Sequence, residues 1–123
     1  MAYVQTLGGV GIVAISGMTL AELANLLRST GYPVAYSHFS GDNVPSPPFI
    51  TYHVDSSANF FADGRTYKKI SNVVVELYTD KKDLEAEAAL EAVFDSNGIA
   101  YETTETWIES EALFQKTYEI GVI

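Results

Sequence analysis

Glu87 and Glu91 stand one helical turn apart in the stretch "LEAEAALEAVF". At that spacing two carboxylates share a helix face, where they could hold a cation or pass a proton. Acid–base work also needs shifted pKa values, which come from burial or from close like charges. Ala86, Ala89, Leu90, Val93 and Phe94 form the apolar stripe of this helix, and Glu85, Glu87, Glu91 and Asp95 fall largely off it. The acids are therefore expected to keep one helix face in water, with no reaction centre among them.

His38 and His53 are the only histidines. They fall on two predicted strands and could approach across a sheet. A zinc site needs three or four ligands with local spacing, and no paired-histidine pattern is present; both rings are expected to pack or to hydrogen-bond. The glycines at 8, 9 and 11 lack the Lys-Ser or Lys-Thr pair that completes a phosphate loop. Ser40-Gly41-Asp42 and Ser56-Ser57 read as turns without a partner histidine signature. The sequence thus assigns no catalytic, cofactor-binding or metal residue, and the reading is of a protein that is not an enzyme and has no cofactor.

The formal charge is −9, from 16 acidic and 7 basic residues. Gripping phosphates takes clustered Lys and Arg, so direct, sequence-specific nucleic-acid binding is not expected. A negative surface suits a passage that DNA slides through without sticking. There is no cysteine, which removes disulfides, thiolate chemistry and cysteine-held metals; a reducing cytoplasm fits. No tract reaches the roughly 20 apolar residues that cross a bilayer as a helix, so no membrane partner is expected.

At 123 residues the chain is one domain able to bury about two-thirds of its extended surface. Residues 1–17 are glycine-interrupted and are expected to be an extension outside the core: an extra strand, a flexible arm, or sequence translated upstream of a start at Met18. Residues 18–123 form the domain. Thr19 and Glu22 make a capping box for a helix from Leu20 to Ser29, whose face is Leu20, Leu23, Ala24 and Leu27, with Gly31 ending it. Strands are predicted at Val34–Phe39 and Phe49–Asp55, separated by a proline-rich loop. Asp63-Gly64 marks a hairpin with arms near Asn59–Phe61 and Arg65–Ile70. Asn72–Thr79 is the strongest strand, with Val73, Val75 and Leu77 on one side. The acidic helix runs from about Lys81 to Asp95, capped by Thr79 or Asp80 and ended by Asn97-Gly98. Strands at Ile99–Thr104 and Leu113–Val122 close the chain, with "TWIESEA" turning between them. This order predicts an α+β fold, a mostly antiparallel sheet with two main helices packed on one face.

Phe60 and Phe61 precede the Asp63-Gly64 turn, Tyr67 follows it, and Trp107 falls in the last turn. Aromatics at hairpin tips either fold back onto the core or meet another subunit, where such residues are enriched. Both outcomes are open.

Four stretches carry a resemblance: "GYPVAYSHF" after a short helix, "PPFITYHV", "FFADGRTYKKISNVVVELYTDKKD", and "YETTETWIESEALFQKTYEIGV". In order and spacing, residues 18–123 resemble the tail-terminator, or tail-completion, proteins of long-tailed phages and prophages of Gram-positive bacteria. The Leu90-Glu91 pair, the run from Trp107 to Glu111 and the Tyr118-Glu119 pair belong to the same pattern; residues 1–17 depart from it. The resemblance implies a structural virion protein of the tail or neck, assembled in the host cytoplasm. It implies a homo-oligomeric ring, a hexamer, that ends the tail tube and meets the head-closure or connector protein while DNA passes through. Phe60, Phe61, Tyr67 and Trp107 would serve subunit or tube contacts. A head-closure protein of similar fold is the alternative, with a small ligand-binding α+β domain behind it.

Overall fold

The computed structural model describes residues 18–55 and 71–122. Helix α1 spans Leu20–Arg28 and helix α2 spans Leu84–Ser96; strands β1 to β5 are Val34–Tyr36, Phe49–Asp55, Ser71–Thr79, Tyr101–Ile108 and Leu113–Val122. The strands form one sheet in the order β1-β2-β3-β5-β4. Among the described residues only the β1–β2 pair is parallel. The chain is an α+β domain with a mostly antiparallel sheet. The extension 1–17 and the predicted hairpin arms at 59–61 and 65–70 lie outside the described residues.

Helix α1 begins where the capping box places it. The Glu22 amide donates to Thr19 Oγ1 at 3.1 Å, and the Thr19 amide donates to Glu22 Oε1 at 2.9 Å, satisfying two of the amides a helix start leaves unpaired. Leu23, Ala24 and Leu27 are buried, whereas Leu20 is 38% exposed, so the apolar face starts one turn later than the spacing suggests. Gly31 follows the helix at φ +91°, a left-handed conformation that costs glycine least.

Strand β1 is shorter than predicted. Ser37 adopts φ +70°, which takes the backbone out of the β region and leaves His38 and Phe39 beyond the strand. Helix α2 begins later than predicted, because its cap is Asp83: the Asp83 carboxylate accepts from the Ala86 amide at 3.0 Å. Asn97 and Gly98 end it as expected, Gly98 at φ +68° and the Ile99 amide returning to the Phe94 carbonyl at 2.9 Å. Strand β4 runs on through Trp107 and Ile108, so the predicted turn shrinks to Glu109–Ala112. The ladder continues to Ile108 opposite Leu113, and the Trp107 and Phe114 rings meet across it at 4.9 Å; cross-strand aromatic pairs of this kind stabilise a sheet.

Alternation along the strands defines the core. Val73, Val75 and Leu77 are each at most 1% exposed, as the strand pattern requires. Registers align Ile50 with Leu77 and Lys116, Tyr52 with Val75 and Tyr118, and Val54 with Val73 and Ile120. Ile50, Tyr52, Val73, Val75, Leu77, Tyr118 and Ile120 share one buried cluster with Leu23, Ala24 and Leu27 of α1 and Ala86, Leu90 and Phe94 of α2. The Phe94 ring touches Tyr118 and Tyr101 at 5.5 and 5.3 Å, which lays α2 over β4 and β5.

Leu90 is fully buried while Leu84 is 69% exposed. Leu90→Ala is expected to destabilise the fold by about 3 kcal/mol through lost burial and a residual cavity. Leu84→Ala should stay within about 0.5 kcal/mol; urea unfolding of the two variants checks the contrast.

Candidate functional site

Among the described residues, the helix–sheet seam gathers the densest set of paired charges. On β5 the alternation that buries Tyr118 and Ile120 also turns Lys116 toward α2. Lys116 Nζ lies 3.0 Å from Glu87 Oε1 and 3.4 Å from Glu91 Oε2. Lys82, just before α2, reaches Glu87 Oε2 at 2.8 Å and Glu105 Oε1 on β4 at 2.6 Å. The Tyr118 hydroxyl, on a fully buried ring, donates to Glu91 Oε2 at 2.7 Å. Two ammonium groups, three carboxylates and a phenol thus form one connected chain.

This arrangement corrects the expectation that Glu87 and Glu91 line the solvent face. Glu87 is 8% exposed and Glu91 is half-buried, while Glu85 and Asp95 are exposed as expected. Ala86, Leu90 and Phe94 form the centre line of the buried face. Glu87 and Glu91 lie one residue along from it, on the shoulder next to Lys116, with Ala89 and Val93 on the opposite shoulder.

The electrostatics follow from this packing. Burial pushes the Glu87 carboxyl up, but the Lys82 and Lys116 ammonium groups outweigh it and hold it below the usual carboxylate range. Burial pushes Lys116 down, and its contacts with Glu87 and Glu91 reverse that, leaving it raised. Tyr118 is held strongly toward its protonated form, first by burial and then by its hydrogen bond to Glu91. A carboxylate kept ionised with both oxygens engaged is poorly suited to deliver or take a proton near neutrality. What the arrangement does is lock α2 to β4 and β5.

The opposite face of the sheet carries a second polar group. Thr51 Oγ1 donates to Glu76 Oε1 at 2.8 Å, and Gln115 Nε2 donates to Glu76 Oε2 at 3.3 Å and to the Tyr78 hydroxyl at 2.9 Å. His53 Nδ1 stands 3.9 Å from Glu76 Oε1, beyond hydrogen-bond range. The Phe49 ring stacks on Tyr78 at 5.0 Å, and Phe39 meets Phe49 edge-on at 5.4 Å. Burial raises the Tyr78 pKa, the Gln115 hydrogen bond opposes this, and Glu76 adds to the rise. The His38 ring lies 3.1 Å from the Ser37 hydroxyl. Among the described residues no cluster of three or more His, Asp or Glu side chains has the arrangement of a metal site.

Of the predicted contact residues, Phe60, Phe61 and Tyr67 lie outside the described residues. Trp107 belongs to β4 rather than to a turn; it is 45% exposed, and its indole N–H donates to Glu109 at 2.9 Å. The sequence reading missed Lys116 and Tyr118 as partners of α2. The available signal was a lysine in phase with the buried positions Tyr118 and Ile120, since a cation at such a position calls for carboxylates opposite it. No protein-family model matches the chain, and no curated protein matches it.

Glu87→Gln is expected to destabilise the fold by roughly 1–3 kcal/mol, since Lys116 and Lys82 each lose a charged partner. Tyr118→Phe should cost about 1 kcal/mol. Glu105→Gln, at the exposed end of the network, should cost under about 1 kcal/mol. Denaturant unfolding ranks the three.

The same groups set a pH profile. Glu87 lies below its ordinary value of 4.5, so its stabilising contribution is complete above that value and is lost as pH falls through the lowered one. Lys116 and Tyr118 lie above their ordinary values of 10.5 and 10.0, so theirs are complete below those values and fade as pH rises toward the raised ones. The urea midpoint should be level from about pH 5 to 9 and fall on both sides, with a shallower acid limb in Glu87→Gln.

Proposed function

We propose that this chain is a structural virion protein of a tailed phage or prophage, forming a ring that ends the tail tube and joins the tail to the head connector. The observation that carries the reading is the order and spacing of the four stretches quoted above over residues 18–123. Three further features support it. The fold class is the α+β arrangement that the resemblance implies. The net charge of −9 suits a lumen through which DNA slides. The half-exposed Trp107 beside Phe114 is an aromatic pair of the kind enriched where subunits meet.

In this role the protein works by shape and self-association. Its partners are further copies of itself, a tail tube protein and a head-closure or connector protein, and it resides in the virion neck after assembly in the host cytoplasm. Purified protein mixed with tail tubes should cap them, and negative-stain images should show rings of sixfold symmetry. Protein that stays monomeric and joins neither tubes nor connectors would overturn the proposal. Rings found only on the connector side of the neck would transfer it to the head-closure role.

A further inference from the structure

Asn97 is the only one of the five asparagines that glycine follows; Asn25, Asn43, Asn59 and Asn72 precede Leu26, Val44, Phe60 and Val73. The side-chain carbonyl carbon of an asparagine is open to attack by the backbone nitrogen of the next residue. Glycine presents that nitrogen with no side chain to hinder the approach and with the freest backbone. The pair stands at the end of α2, with Asn97 half-buried and Gly98 exposed to water.

The folded chain keeps the two reacting groups apart. Closing a five-membered ring requires the Gly98 nitrogen on the same side of the Asn97 Cα–C bond as Cβ. At ψ +10° that nitrogen is nearly eclipsed with Asn97's own nitrogen, which turns it away from Cβ. Both groups are also tied down: Asn97 Nδ2 donates to the Val93 carbonyl at 2.8 Å, and the Gly98 amide donates to the Asp95 carbonyl at 3.3 Å. Just beyond them the Ile99 amide is bound to the Phe94 carbonyl at 2.9 Å, and the Ile99 side chain belongs to the buried cluster. Rotation about the Asn97 Cα–C bond therefore requires the last turn of α2 to open. Helix ends open at lower free energy than the core does.

We propose that Asn97-Gly98 is a site of spontaneous deamidation that the C-terminal cap of α2 holds shut, and that the reaction, once it occurs, loosens this end of the helix. When the turn opens, the Gly98 amide gives its proton to solvent base and its nitrogen bonds to Asn97 Cγ. The Cγ–Nδ2 bond breaks and Nδ2 leaves as ammonia. Water then opens the cyclic imide at either carbonyl, giving aspartate or isoaspartate at position 97, so one water is consumed for each ammonia released. In the aspartate product a carboxylate replaces the amide donor beside the Val93 carbonyl, and a negative charge joins Asp95 at the helix end that already carries partial negative charge. In the isoaspartate product an extra backbone methylene separates α2 from Ile99. Each product removes a bond or a spacing on which the cap depends.

The test incubates the full chain in mildly alkaline buffer, folded and in urea beyond its unfolding transition, and follows each asparagine by peptide mass spectrometry with isoaspartate detection. In urea Asn97 should convert first of the five. In the folded chain its conversion should be slower by about tenfold or more. The variant Asn97→Asp, which carries one of the two products, should unfold at a lower urea midpoint than the unmodified chain at neutral pH. Asn97 converting no faster than Asn25 or Asn72 in urea overturns the reactive site. Equal rates in the folded and unfolded chain overturn the closure by the cap. A midpoint unchanged in Asn97→Asp, and unchanged in chain aged to the isoaspartate form, overturns the loosening of α2.

Discussion

Lys116 stands on the helix-facing side of β5, between rows of the sheet that are otherwise apolar, and a half-buried ammonium there needs carboxylates within reach. Glu87 and Glu91 supply them, which fixes the rotation of α2 about its own axis: the shoulder carrying these two acids must turn toward β5. Leu90 and Phe94 then face the sheet, and the Phe94 ring comes to rest against Tyr101 and Tyr118. The Tyr118 hydroxyl shares the Glu91 carboxylate, so the aromatic packing and the ionic network hold the helix in the same orientation. Lys82 extends the network to Glu105 and ties the start of α2 to β4.

The two faces of the sheet solve the burial of polar groups differently. Under α2, full charges are paired with full charges. On the other face Glu76 is held by neutral donors, Thr51 and Gln115, beside the stacked Phe49 and Tyr78 rings. Each arrangement gives a buried carboxylate the partners without which it would be costly to bury. Lys116 is paired within the seam, whereas Lys82 stays 45% exposed beside Glu87 and Glu105.

Much of the fold was legible because its signals are local. The Thr19 capping box, the buried run Val73, Val75 and Leu77, and the glycine and asparagine that end α2 depend on neighbours a few residues away. The boundaries that moved were decided by other effects. Asp83 reached the Ala86 amide and displaced the caps expected at Thr79 or Asp80, and Ser37 cut β1 short by adopting a backbone conformation its residue type does not announce. Trp107 stayed in β4 because Phe114, across the hairpin, continued the ladder. The acids of α2 were misread because a helical stripe counts only apolar residues. A glutamate on its shoulder is buried or solvated according to a lysine 29 positions later in the chain.

Trp107 is the only tryptophan in the sequence, and it sits near the tip of β4 against Phe114, away from the buried cluster. Selective excitation of the indole therefore interrogates one border of the sheet and little else. The molecule carries a built-in optical label at that border, whose emission colour and quenching report the arrival of a neighbour while remaining nearly blind to events in the interior.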